Sequence, residues 1–380
     1  MKASKYLNIL GIRGFPAAHG GFETFAANFS PFMRDNGWKV TVYCQEDEGI
    51  SRPKSWTDEY EGIRRIHFET RTRGALATME FDLRCVINVL RQPGVDLVLG
   101  YNTAIFNIIQ VVFGRRVLIN MDGIEWKREK WGRIAKLWFW INEWFGSRFL
   151  SAVIADHPEI AAHLATRGCK KAVVIPYGSD SITSASIEHL SSYGLAAYDY
   201  FISIARIEPE NSILEIVQAF VRANTGRKLI VLGKLEDPQN AYHAQVRKAA
   251  DDNVIFPSAI YDRAIVSALR YYCIAYMHGH QVGGTNPSLV EALGAGNPVI
   301  AHSNRFNHWT AGKDQMYFSS VEECVELIRK ASMHADSNKR ERAYSASVHR
   351  ERFTFDVIHN AYLSVIEQQL ENILEDKTTK

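Results

Sequence analysis

A chain of 380 residues is long enough for two domains. A composition of 46% hydrophobic and 23% charged residues excludes a disordered or fibrous protein, and a net charge of +2 with no basic run offers nothing to nucleic acid. Five widely spaced cysteines with no Cys-x-x-Cys argue against a disulfide framework or a zinc site and fit a reducing cytosol; no run of 18 apolar residues predicts a transmembrane helix, and the first residues do not read as a signal peptide.

The chain opens with an apolar strand over 6–10, closed by Gly11. A glycine-rich loop, Gly11-Ile12-Arg13-Gly14-Phe15-Pro16-Ala17-Ala18-His19-Gly20-Gly21, leads into a helix over 22–36 and a strand over 40–43. This is a βαβ unit with its loop at the strand's C-terminal end, where open α/β sheets bind ligands. The loop lacks the Gly-x-Gly-x-x-Gly spacing of dinucleotide binders. Strands over 64–68, 95–99, 116–120, 152–155 and 172–175 alternate with helices over 79–92, 104–113 and 158–166, which predicts a parallel sheet covered on both faces.

The stretch 125–149 holds Trp126, Trp131, Trp138, Trp140 and Trp144, five of the eight tryptophans. Trp131, Ile134, Trp138, Ile141 and Phe145 fall at helical spacing, widened by Leu137, Trp140 and Trp144. One reading is an amphipathic helix packed over the sheet. The other is a membrane-surface contact, with Trp at the interface and Lys127, Arg128, Lys130, Arg133, Lys136 and Arg148 facing anionic lipid.

A Ser-rich stretch over 179–192 reads as an interdomain linker, extended to 179–198. A second βα series follows: strands over 200–205, 228–232, 253–256 and 273–276, and helices over 211–224 and 262–269. The last helix, from 355 to about 375, puts Ile358, Tyr362, Ile366, Leu370 and Ile373 on one face. The expected organisation is an α/β chain with an N-terminal domain over 1–178, the linker, a C-terminal domain over 199–354, and a final helix over 355–380 that packs back on the first domain. Two doubly wound, Rossmann-like domains would face each other across a ligand cleft.

Gly279-His280-Gln281-Val282-Gly283-Gly284-Thr285-Asn286-Pro287-Ser288-Leu289-Val290-Glu291 reads as a polar loop that opens a short helix. Pro287 suits a first helical turn, Asn286 or Thr285 an N-cap, and free N–H groups there attract an anion. Glu291 lies one turn on and is expected to face the same cavity. Arg206, at the end of the strand over 200–205, is placed for bidentate phosphate contact. His278 and His280 flank the loop without a third metal ligand nearby in sequence, so no metal site is expected.

These residues together resemble the retaining GT-B glycosyltransferases of family 4. Gly20-Gly21-Phe22-Glu23 is similar to that family's donor-phosphate loop. Arg206-Ile207-Glu208-Pro209-Glu210-Asn211, Phe256-Pro257-Ser258-Ala259-Ile260-Tyr261 and the loop ending in Glu291 are similar to its other motifs. The stretches Gly11-Ile12-Arg13-Gly14-Phe15-Pro16, Asn120-Met121-Asp122-Gly123-Ile124-Glu125-Trp126-Lys127-Arg128 and residues 279–291 look like the bacterial rhamnosyltransferase-like branch.

The resemblance implies donor contacts from Arg13, Gly20, Gly21, Glu208, Asn211, Ser258, Tyr261, His280, Gly284, Thr285, Asn286, Ser288 and Glu291. It implies catalytic roles for Asp122, Glu125 and Arg206, and acceptor contacts from Trp126 and Lys130. The implied activity is transfer of a hexose, with L-rhamnose from dTDP-rhamnose as the first choice, onto a lipid-linked saccharide in bacterial surface polysaccharide synthesis. The place would be the cytoplasm or the inner membrane's cytoplasmic face. No cofactor is implied, only the nucleotide sugar as substrate. Alternatives are a UDP-sugar donor, such as UDP-glucose or UDP-GlcNAc, and a non-catalytic nucleotide-sugar-binding protein of the same fold. Three positions depart from the wider family: Gly283 stands where its first loop Glu belongs, Asn211 where it has Lys, and Met121-Asp122 where its first domain often has His.

Overall fold

The computed structural model describes residues 5–16, 20–49, 51, 54–128, 131–169, 172–235, 239–333 and 339–378, and the side chains of all of these except 47, 48 and 376–378. It divides into two compact units, Met1–Pro176 with Ile358–Lys380, and Tyr177–Val357.

The first unit is built on eight strands: β1 (Tyr6–Leu10), β2 (Lys39–Glu48), β3 (Ser55–Tyr60), β4 (Ile63–Thr70), β5 (Val95–Leu99), β6 (Val117–Asn120), β7 (Ala152–Ala155) and β8 (Ala172–Val174). They lie in the order β3-β4-β2-β1-β5-β6-β7-β8, all parallel except the β3–β4 pair. The near-continuous apolar runs of β1, β5 and β6 follow from burial on both faces. Chain order reverses at β1, which pairs β2 on one side and β5 on the other. This switch point opens a crevice at the strands' carboxyl ends. Gly11 makes the tight exit possible there. Its φ is +86°, and a Cβ would lie 2.3 Å from the Leu99 carbonyl oxygen.

The final helix, Phe355–Thr378, contributes Ile358, Tyr362, Val365 and Ile366 to this unit's core, against Phe25 and Phe29 of the helix Gly21–Asp35. Asn120 Nδ2 donates to Tyr362 Oη over 2.6 Å, tying the end of β6 to that helix.

The second unit has six parallel strands: β9 (Tyr200–Ile204), β10 (Lys228–Leu232), β11 (Val254–Ile255), β12 (Tyr276–His278), β13 (Val299–His302) and β14 (Met316–Phe318). Their order, β11-β10-β9-β12-β13-β14, puts the switch point between β9 and β12. Apolar layers cover both faces, one around Phe201, Ile216 and Met277, the other around Tyr200, Leu289 and Phe353.

Three expectations are corrected. The stretch 179–198 is not a free linker: Ser179 is buried, its N–H bonds the Phe353 carbonyl over 2.8 Å, and Leu190 and Leu195 enter the second unit's core. The strand expected over 273–276 is regular only from Tyr276, and the buried residues before it join the neighbouring strand through two bonds, Ile274 N–H to the Tyr200 carbonyl (2.7 Å) and Ile202 N–H to the Ala275 carbonyl (3.2 Å). The tryptophan stripe is only half-buried at Trp131, Trp138, Ile141, Trp144 and Phe145 and is not the most buried face of its helix. The helix Arg133–Phe149 buries its narrow polar face, Asn142, Glu143, Gly146 and Ser147, and leaves Ile134, Leu137, Trp140 and Phe149 exposed. Glu143 lies on the buried face. It accepts from Trp126 Nε1 (2.9 Å) and Arg167 Nε (2.9 Å) and meets His163 Nε2 (3.0 Å), so its burial is compensated.

Candidate functional site

The loop after β9 and the loop after β12 emerge side by side at the second unit's switch point, and backbone contacts lock them together. Gln281 N–H donates to the Glu210 carbonyl (2.9 Å), and its side chain donates to Ser212 Oγ (2.8 Å). Gly279 lies so close that a Cβ would sit 2.1 Å from the Asn211 carbonyl oxygen. Asn211 is itself buried, and its amide donates to the Arg206 carbonyl over 2.8 Å. The position where the wider family has Lys therefore shapes the Arg206 turn.

Arg206 is exposed, and its ion-pair partners among the described residues are Glu208 (3.3 Å) and Glu210 (3.9 Å). Exposed pairs at such distances are worth well under about 1 kcal/mol, so a diphosphate can replace them.

Asn286 caps the helix Pro287–Gly294, accepting from Ser288 N over 3.0 Å, with Pro287 in the first turn. The Ser288 hydroxyl is committed elsewhere: it donates to the Ile204 carbonyl (3.0 Å) and meets Tyr276 Oη (2.7 Å). Burial pushes the Tyr276 phenol up to about 12, so it stays protonated and pins the helix start to the end of β9. Thr285 is buried, Gly283 has a φ of +122° and open space where a Cβ would stand, and Gly284 is half-buried beside it.

Glu291 pairs with Arg270, a buried arginine from the helix Arg263–Tyr271. The sequence reading missed Arg270. Its signal was an arginine on the apolar face of that helix, beside Ala268 and Leu269. His280 stacks on His278 with ring centroids 4.4 Å apart. Burial, reinforced by His280, drives the His278 pKa well down and keeps that ring neutral. Ser258 has a φ of 70° in the loop after β11, and Tyr261 is exposed near the start of the next helix. Among the described residues no group of three His, Cys, Asp or Glu could hold a metal ion.

The first unit carries the remaining expected residues. Asp122 follows β6 with a φ of 51°, and its N–H bonds Asn120 Oδ1 over 2.9 Å. Asp tolerates this left-handed conformation, and the side chain projects outward, exposed. Glu125 has both carboxylate oxygens occupied, by Arg128 Nη1 (3.0 Å) and Trp131 Nε1 (3.1 Å), while its N–H donates to Tyr101 Oη (2.8 Å). It braces the loop. Trp126 spends its indole N–H on Glu143. Lys130 lies outside the described residues. Arg13 N–H donates to Glu23 Oε1 (3.1 Å), while Gly20 and Gly21 open the helix Gly21–Asp35 with no side-chain cap.

Residues 4–180 match a family described as "Domain of unknown function (DUF1972)". No curated protein matches the chain. Solved structures match over almost its whole length. Sucrose-phosphate synthase from Thermosynechococcus elongatus is 14% identical with a TM-score of 0.79, covering 97% of this chain and 100% of that one. Anabaena HepE in complex with UDP is 16% identical with a TM-score of 0.70, covering 96% and 100%. The catalytic domain of starch synthase IV from Arabidopsis thaliana, bound to ADP and acarbose, is 12% identical with a TM-score of 0.73, covering 97% and 99%. The likeness carries the fold: this chain has the GT-B fold of two Rossmann-like domains.

Proposed function

We propose that the protein is a retaining glycosyltransferase that moves a hexose from a nucleotide sugar to a saccharide acceptor. The observation that carries this reading is the convergence of Arg206, the capped helix start at Asn286–Pro287 and the Arg270-held Glu291 at one switch point. A diphosphate there meets the Arg206 cation and the positive end of the helix dipole, and Glu291 is one helical turn away to accept from ribose or deoxyribose hydroxyls. As the bond from sugar to diphosphate breaks, charge grows on the β-phosphate, and donors fixed in advance stabilise it. The acceptor hydroxyl attacks on the face the diphosphate leaves, and the phosphate takes its proton. Asp122, exposed on its left-handed turn, orients the acceptor. Asp122→Asn and Arg206→Ala are each expected to abolish transfer while leaving the fold intact.

The donor in this reading is dTDP-L-rhamnose. Gly283, standing where the wider family reads sugar hydroxyls with a Glu, favours a deoxyhexose. The acceptor is a lipid-linked saccharide, and the exposed Ile134, Leu137 and Trp140 beside Arg133 and Lys136 support a contact with the membrane surface. No helix among the described residues is long and apolar enough to cross a membrane.

A thermal-shift panel of dTDP, UDP and GDP sugars tests the donor, because a ligand of the native state raises its melting temperature. The dTDP sugars are expected to rank first. A UDP sugar in first place selects the alternative donor, and no shift from any nucleotide sugar contradicts the reading.

A further inference from the structure

The first sheet's switch point is also occupied by a cavity. About 200 Å³ opens at the carboxyl ends of β1 and β5, lined by Arg13, Glu23, Asp82, Asn102, Thr103 and Asn107 over an apolar base that includes Phe81 and Val86. An apolar cavity of about 150 Å³ takes a benzene ring, so this one has room for one six-membered ring. Its polar rim over an apolar base matches a sugar ring, which has hydroxyls on its edge and C–H groups on its faces.

Asp82 is the notable group. It sits on the helix Ala75–Val89, and Thr103 Oγ1 donates to its Oδ2 over 2.7 Å. Among the described residues no cation pairs with it. Although part of the residue reaches solvent, its surroundings push the carboxyl up to about 7, with only the Thr103 bond acting against that. A carboxyl poised there both accepts and donates hydrogen bonds near neutral pH, as a hydroxyl requires of its partner. It also repels a second negative charge.

We infer that this cavity seats a neutral, hydroxyl-bearing sugar ring, and that Asp82, oriented by Thr103, binds one of its hydroxyls. That the ring belongs to the acceptor rests on the glycosyltransferase reading; the binding itself does not. Nothing in the sequence pattern singled out Asp82, because a lone Asp on a helix reads as a solvated position.

Saturation-transfer NMR tests this without any donor, using the full chain and the methyl glycosides of rhamnose, glucose, galactose, N-acetylglucosamine and glucuronic acid. The wild type is expected to transfer saturation to at least one neutral glycoside and several-fold less to the glucuronide. Asp82→Leu is expected to lose that signal at least fivefold, and Thr103→Val to weaken it. Asp82→Asn, which keeps an acceptor and donors, is expected to retain part of it. Circular dichroism melts check that each variant is folded, and Asp82→Asn carries the comparison if Asp82→Leu does not fold. No signal from any neutral glycoside, full signal in the folded Asp82→Leu variant, or a glucuronide as strong as its neutral parents would overturn the inference. Glycoside binding without any nucleotide-sugar binding would sink the transferase reading and leave this site standing.

Discussion

Gly279 and the Asn211 carbonyl are in backbone contact, with no room between them for even a methyl group. This one approach joins the Arg206 loop to the loop that carries Glu291. Gly279→Ala is expected to force the loops apart, costing about 1–3 kcal/mol as overpacking does and weakening donor binding at the same time. Urea melts with calorimetry of a dTDP sugar would read both. Unchanged stability and affinity would mean that the loops are not coupled there.

Arg270 and Glu291 form a second coupling. Arg270 is buried, while the Glu291 side chain keeps about a third of its exposure, 32%. Removing Glu291 leaves a buried guanidinium without its carboxylate, which costs a few kcal/mol at most given the partial exposure. Glu291→Gln keeps the shape and is expected to lower kcat/KM at least tenfold with a small change in Tm. Arg270→Met is expected to do the same through loss of the brace, mainly by raising KM.

Asp96 tests the first unit's frame. It is fully buried and accepts from Arg115 Nη2 (2.6 Å), Asn8 Nδ2 (2.9 Å) and Gln110 Nε2 (2.8 Å). Asp96→Ala strands Arg115 and is expected to destabilise the unit by about 3–5 kcal/mol. A loss under 1 kcal/mol in denaturant melts would contradict this.

Asp82 predicts a pH dependence with a definite sign. Its folded-state pKa, about 7, lies above the ordinary 3.8. Between those values the folded chain holds a proton that the unfolded chain has released. The contribution of Asp82 is therefore fully present below about pH 4, falls as pH rises to about 7, and is lost above that. At about 1.4 kcal/mol per unit, reduced because the residue is partly exposed, the change is a few kcal/mol at most. Asp82→Asn is expected to flatten this slope and to be the more stable form at pH 8. Parallel slopes for the two proteins between pH 4.5 and 7.5 would contradict it.

The strands and the loop-to-helix motif were legible because buried parallel strands are continuous apolar runs and because proline and asparagine mark a helix start. The runs at 6–10, 95–99, 152–155 and 228–232 appear in the structure with those bounds. β3 was missed because its alternation, Ser55 to Tyr60, is mostly polar on an exposed edge. The tryptophan helix misled because hydrophobic periodicity does not show that a polar residue such as Glu143 lies on the buried face. In the site, residues next to glycines and prolines were visible. Arg270, Thr103 and Asp82 were not, because their roles come from contacts between distant segments. Asn211, Glu125 and Ser288 were visible but carry structural bonds that the sequence does not reveal.

The most direct test of the central claim is calorimetric binding of dTDP-rhamnose and UDP-glucose to the wild type, Arg206→Ala and Glu291→Gln. The account predicts that the wild type binds one of the two donors and that each substitution weakens that binding at least tenfold in a folded protein. Equal affinity in all three proteins, or no binding of either nucleotide sugar to the wild type, would contradict it.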